Sequence, residues 1–234
     1  MPRARRRGKW AALASLAAIA VGAALEPWAQ PAGDPPLELV RSWTLIDAES
    51  AVGGGGAPTH RMRLEMAVLA GSGWDPATIL AATRAAAGIL AQCGIRTDRA
   101  ELYEFEGPAR YRWLDTPVSR ELARRTRLAR PAVYFVAGTR HVPAFDAEAF
   151  GRANSARRPE LAYSVWIVAG ARDLPVALAH ELVHVLADSG EHSDAPGNLM
   201  RDETAPDAVV LTPAQCRHVL EGGVRNALLQ PLAR

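Results

Sequence analysis

The stretch HELVHVLADSGEHSDAPGNLM, residues 180–200, carries three of the six histidines of a 234-residue chain. His180 and His184 are one helical turn apart, a spacing that stacks two side chains on one face and aims both imidazoles at one point. Two imidazoles so placed are half of a zinc site. Zinc takes histidine nitrogen at about 2.0–2.1 Å, and a catalytic site keeps three protein ligands and an open fourth position. His192 is the expected third ligand. In a continued helix it would lie about 12 Å beyond His184 along the axis, so it comes within reach only if the chain reverses. Gly190 is the expected place, because glycine enters the left-handed conformation at almost no steric cost. Glu181 follows His180 on a neighbouring line of the helix, beside a metal and not on it, where a carboxylate serves as general base toward water. The pattern implies Zn2+ as cofactor, amide hydrolysis as chemistry, and a protein or peptide as substrate.

The surrounding sequence supplies a frame for that helix. Residues 171–190 read as one helix, with Asp173 as cap and Gly190 as stop. Before it, residues 132–138 and 161–170 are apolar runs rich in aromatic and β-branched residues, which suits buried strands. Between the two lies a long, polar, arginine-rich stretch, 139–160, expected as a functional loop. Residues 74–94 form a helix with Asp75 as cap, Pro76 at the first helical position and Gly94 as stop. Residues 116–130 are a short helix, and Thr212 and Pro213 open a last one. Leu64, Met66 and Val68 alternate, which predicts a strand with one buried face, and residues 95–107 alternate as well. Gly53–Gly56 form either the tip of a hairpin joining residues 37–47 to 60–70 or a linker. They match no phosphate-binding pattern.

The first residues differ from the rest. A basic start, an apolar stretch at 10–25 and a proline-rich exit read as a signal peptide over 1–29, with an uncleaved anchor helix as the alternative and as the only membrane contact expected. Residues 30–60 are expected as a linker or N-terminal extension and 61–234 as the catalytic domain. Either reading exports the chain, to the periplasm or the extracellular space. Removing the cations Arg3, Arg5, Arg6, Arg7 and Lys9 turns the formal charge of +2 into −3, which leaves no electrostatic case for a nucleic-acid partner. A monomer is expected. Cys93 and Cys216 are the two cysteines of the chain. In an exported protein they form one bridge or remain as two buried thiols.

HELVH, the later His192-Ser193 and the Asn198-Leu199-Met200 triplet together resemble the HExxHxxGxxH motif and Met-turn of the metzincin zinc endopeptidases, in particular the matrixin-like members. The distance from His192 to Met200, with a proline between, is similar to theirs, and the element order extends the resemblance over about residues 60–230. It implies an α/β (α+β) fold: a mixed twisted sheet with an active-site helix and a C-terminal helix. It also implies that Met200 packs beneath the metal and that substrate runs along an edge strand, with region 138–160 as the cleft rim. The chain departs from the motif in two ways. Ala187 stands at the glycine position, and His192 arrives two residues late. No tyrosine follows Met200 closely, so the extra tyrosine ligand of some metzincins has no counterpart. Asp188 and Asp194 flank the site as candidates to orient an imidazole, while His60, His141 and His218 fall outside any ligand spacing. Two rival readings remain. One is a gluzincin-like hydrolase with Glu203 as third ligand. The other is a non-catalytic zinc-binding envelope protein, against which Glu181 argues, since a structural site needs no base.

Overall fold

The computed structural model describes residues 35–47, 49, 51–52, 57–140, 149–152 and 158–233. The expected signal peptide, the glycine run 53–56 and His141 lie outside the described residues. In chain order the strands are β1 (Glu38–Ile46), β2 (His60–Leu69), β3 (Ile95–Glu106), β4 (Trp113–Leu114), β5 (Ala132–Val136), β6 (Gly138–Thr139), β7 (Ala149–Arg152), β8 (Ser164–Val168) and β9 (Gln230–Pro231). The helices are α1 (Pro76–Leu90), α2 (Thr116–Thr126), α3 (Leu174–Ala187) and α4 (Pro213–Arg225).

The main sheet runs β1-β3-β2-β5-β8-β7, with β9 beside the start of β2. β3, β2, β5 and β8 are parallel, and β1 and β7 close the two edges antiparallel. β1 therefore pairs with β3 and not with β2, which rules out the hairpin alternative. The segment before residue 60 contributes a strand to this sheet. The stretch expected as a loop contains β7, which lies against α3 at the opposite edge.

Strand alternation divides the interior in two. Leu64, Met66, Val133, Phe135, Val165 and Ile167 face α1 and α3. Ala67, Leu69, Tyr134, Trp166 and Val168 face α2. The alternation in β2 thus marked only half of its burial, because small or apolar residues also fill the second face beyond Glu65. β3 keeps one buried face by means of a bulge: Ile95 and Thr97 are buried, then Ala100 and Leu102, with a register shift at Asp98 between the pairs.

Local chemistry accounts for the helix ends. Asp75 accepts the Thr78 N–H at 3.0 Å with Pro76 behind it, and after a short 3-10 turn Gly94 closes the segment at φ 72°. Thr212 and Gln215 form a reciprocal capping box at the start of α4. Cys93 and Cys216 form a disulfide across 123 residues, tying the end of α1 to α4. A Cβ on Gly222 would overlap the Leu186 carbonyl, so α4 crosses α3 at the closest approach glycine permits. Among the described residues, no helix is long and apolar enough to cross a membrane.

Candidate metal centre

α3 is apolar almost all round, because it lies between the sheet, α1 and α4, and that setting buries its histidines. His180 is 4% exposed and His184 9%. Asp173 stands at the start of the helix in a left-handed conformation, and its side chain makes no capping bond; its carbonyl instead accepts from Val176 at 2.8 Å. This corrects the expected side-chain cap. The helix ends at Ala187, and the reversal occurs at Asp188, with φ 54° and ψ 43°. Gly190 does not have positive φ. The turn that brings His192 back therefore belongs to Asp188, one of the few residue types that visit the left-handed region. There its N–H points back to the His184 and Val185 carbonyls.

His180, His184 and His192 come together as a group that could hold one metal ion, their candidate ligand atoms all within 4.8 Å of one another. The His184 Nε2 lies 2.9 Å from the His180 Nε2 and 3.1 Å from the His192 Nε2. Each opposite nitrogen faces an oxygen acceptor at 2.8 Å: His180 Nδ1 the Leu199 carbonyl, His184 Nδ1 the Ser189 carbonyl, and His192 Nδ1 an Asp202 carboxylate oxygen. These acceptors assign the proton to Nδ1 in all three rings and leave three Nε2 lone pairs converging. Three acceptors converging at such distances suit a shared cation. Tetrahedral zinc at its usual bond length would hold neighbouring nitrogens about 3.3 Å apart, close to the spacing observed. Burial pushes the His180 pKa down to about 4, against the upward pull of the Leu199 carbonyl, and burial also lowers that of His184. Both rings are thus kept in the neutral, ligating form.

The loop after His192 is fixed from α4. Ser193 donates its N–H to the Met200 carbonyl at 2.7 Å, closing the turn. Buried Asn198 accepts the Met200 N–H at 2.9 Å, and its amide exchanges two 3.0 Å bonds with the Gln215 amide. Gln215 thereby buttresses the turn whose Leu199 carbonyl orients His180. Met200 is buried and lines, with His184, His192, Gln215 and Val219, a cavity of ≈ 80 Å³ between α3 and α4. His218 is exposed at the rim of the same cavity.

Glu181 is half-buried on α3, directly after His180. Glu203 is exposed and does not belong to the histidine group. The carboxylate found at a ligand imidazole is that of Asp202, on His192; sequence reasoning missed it, as it missed Asn198, Gln215 and the two carbonyls. An acidic residue two beyond the Met-turn methionine was the only available signal, and nothing in its spacing sets it apart from Glu203.

No protein-family model matches the chain, and no curated protein matches it. Among solved structures it is similar to the crystal structure of metalloproteinase-II from Bacteroides fragilis, with a TM-score of 0.50 and 16% identity over 76% of this chain and 57% of that one. The chain thus spans a little over half the length of that metalloproteinase. At this identity the likeness shows a shared fold. The mixed α/β architecture expected from the sequence is present, and its helix and loop carry a three-histidine group suited to a metal.

Proposed function

We propose that the protein is an exported, matrixin-like zinc metallopeptidase that hydrolyses peptide bonds, with His180, His184 and His192 as ligands and Glu181 as general base. The observation that carries this reading is the convergence of three Nε2 lone pairs with a glutamate one residue along the same helix. When bound, zinc supplies a positive charge that polarises the scissile carbonyl and acidifies water, and three neutral imidazoles leave that charge undiminished. The Glu181 carboxylate takes the proton from the attacking water and returns it to the leaving amine nitrogen. Asp202 and the Leu199 and Ser189 carbonyls hold the imidazoles in the required tautomer. The substrate chain would lie along β7, the edge strand beside α3. The Cys93–Cys216 disulfide supports an oxidising compartment, periplasmic or extracellular, and the basic, apolar, proline-rich N-terminus supports cleavage there. The Met200 turn and its distance from His192 support the matrixin-like subtype.

The test pairs zinc content with hydrolysis of a mixed peptide library, for the wild type and Glu181→Gln. The variant should retain zinc and lose about 10² to 10⁴ in rate. A variant as active as the wild type, or a wild type that takes up no zinc, would sink this function.

A further inference from the structure

On the other face of the sheet from the histidines, β2 and β3 place arginine opposite arginine twice in succession: Arg61 pairs in register with Arg96, and Arg63 with Arg99. Partner residues on parallel strands emerge on the same face, strands lie about 4.8 Å apart, and alternate residues about 6.6 Å. Four guanidinium groups therefore root in a patch of roughly 5 by 7 Å. Like charges directly opposite destabilise a sheet. The bulge makes the second pair. Met62 is opposite Thr97, so an unbroken register would set Arg63 against Asp98; the shift between Met62 and Arg63 replaces that attractive pair with Arg99. The same bulge brings Arg96 and Arg99, an odd number of residues apart, onto one face.

All four line an open concavity of ≈ 600 Å³, together with Thr44, Asp47 and Asp98. That lies within the range of small-molecule sites, about 300–1,000 Å³. Four arginines against Asp47, Asp98 and the Glu101 that pairs with Arg99 leave a small cationic excess. The existing partners occupy single edges: Arg96 Nε meets Asp98 at 2.5 Å, Arg99 meets Glu101 at 2.6 Å, and Arg61 Nε donates to neutral Gln230 at 2.9 Å. Arg63 has no ion-pair partner among the described residues. A guanidinium has five N–H donors in a planar fork that fits oxyanions bidentately, and the contacts of Arg61, Arg96 and Arg99 described above engage one nitrogen of each. Met62 and Leu64, which alternate with Arg61 and Arg63 along β2, point the opposite way, into the core beneath α1 and α3, so the sheet separates this face from the histidine group.

We propose that Arg61, Arg63, Arg96 and Arg99 form a binding site for a multiply charged oxyanion of the phosphate-ester or sulfate-ester type, distinct from the metal centre. A register that sets Arg63 against Arg99, with Asp98 already engaged by Arg96, makes sense where a ligand supplies further negative charge. The assignment does not depend on peptidase activity.

The test is calorimetric titration of the full-length protein with inorganic pyrophosphate and, separately, inorganic sulfate, with ionic strength matched by sodium chloride. Saturable binding by either anion, weakened about tenfold in both Arg63→Gln and Arg99→Gln with zinc content unchanged, supports the site. The tighter anion identifies the ester. Binding by neither anion, or equal binding in wild type and variants, which would mark an anion held elsewhere, overturns it. Melting of the anion-free protein provides a second readout. Arg63→Gln should melt at or above the wild type because repulsion is relieved, and a lower melting temperature overturns the argument from register.

Discussion

The two halves of the histidine group are held by different means. His180 and His184 stand buried on α3, their positions set by the helical repeat and their rings oriented by main-chain carbonyls of Leu199 and Ser189. His192 stands on a solvent-facing loop, its side chain 38% exposed, and is oriented by Asp202, whose side chain is 79% exposed. A carbonyl cannot be lost by substitution, and burial protects its hydrogen bond from competing water. The loop half depends on one solvated side-chain pair, worth less because water and salt screen it. The helical half is a preformed template, and the loop half decides whether a third ligand completes it.

The largest expected effect comes from removing the loop ligand itself. His192→Ala should lower zinc affinity by more than the roughly 100-fold at the upper end of supporting-residue losses, while Glu203→Ala should leave it unchanged. Competition with a chromophoric chelator measures both. The opposite ranking would break the comparison and move the third ligand to Glu203.

Next come the buttresses of each half. Asn198→Ala strands the Met200 N–H and the Gln215 amide in a buried setting, which should cost about 1–3 kcal/mol of stability, read by urea denaturation. Zinc affinity should fall with it, because the same turn carries the Leu199 carbonyl. Asp202→Ala should lower zinc affinity about tenfold, the modest end of the range for supporting residues, with no change in the urea midpoint. A stability loss at Asp202, or none at Asn198, would erase the distinction between a packed half and a solvated one.

The same division explains what could be read from the sequence. Periodicities of the helix and strand depend on neighbours in the chain, so α1, α3, α4 and the apolar strands were legible, as was the facing of His180 and His184. The Asp75 cap and the Thr212 start were legible because a side chain bonds its own backbone three residues on. Contacts formed by distant segments were not. The pairing of β1 with β3, the Gln215–Asn198 amide pair and the His192–Asp202 contact all depend on where the chain returns. The bulge at Asp98 left one trace, the adjacent polar residues Asp98 and Arg99 that break the alternation of residues 95–107, and only register against β2 shows that the phase changes there.

The smallest effect concerns the turn between the two halves. The conformational freedom of glycine favours Gly190 as the reversal, yet the residue in the left-handed region is Asp188, at φ 54°, and a Cβ on Gly190 would meet nothing within 4 Å. Gly190→Ala should therefore leave zinc affinity unchanged and be neutral or stabilising by up to about 1 kcal/mol, since alanine only reduces the freedom of the unfolded chain. Asp188→Gly should be tolerated, because glycine takes positive φ without a Cβ clash. Asp188→Val places a β-branched side chain where such residues are genuine outliers, so it should cost about 1–3 kcal/mol and weaken zinc by displacing the Ser189 carbonyl from His184. Urea denaturation and chelator competition on the three variants read both quantities. A loss at Gly190→Ala equal to that at Asp188→Val would return the turn to the glycine, and the later arrival of His192 would then need a different path for residues 188–191.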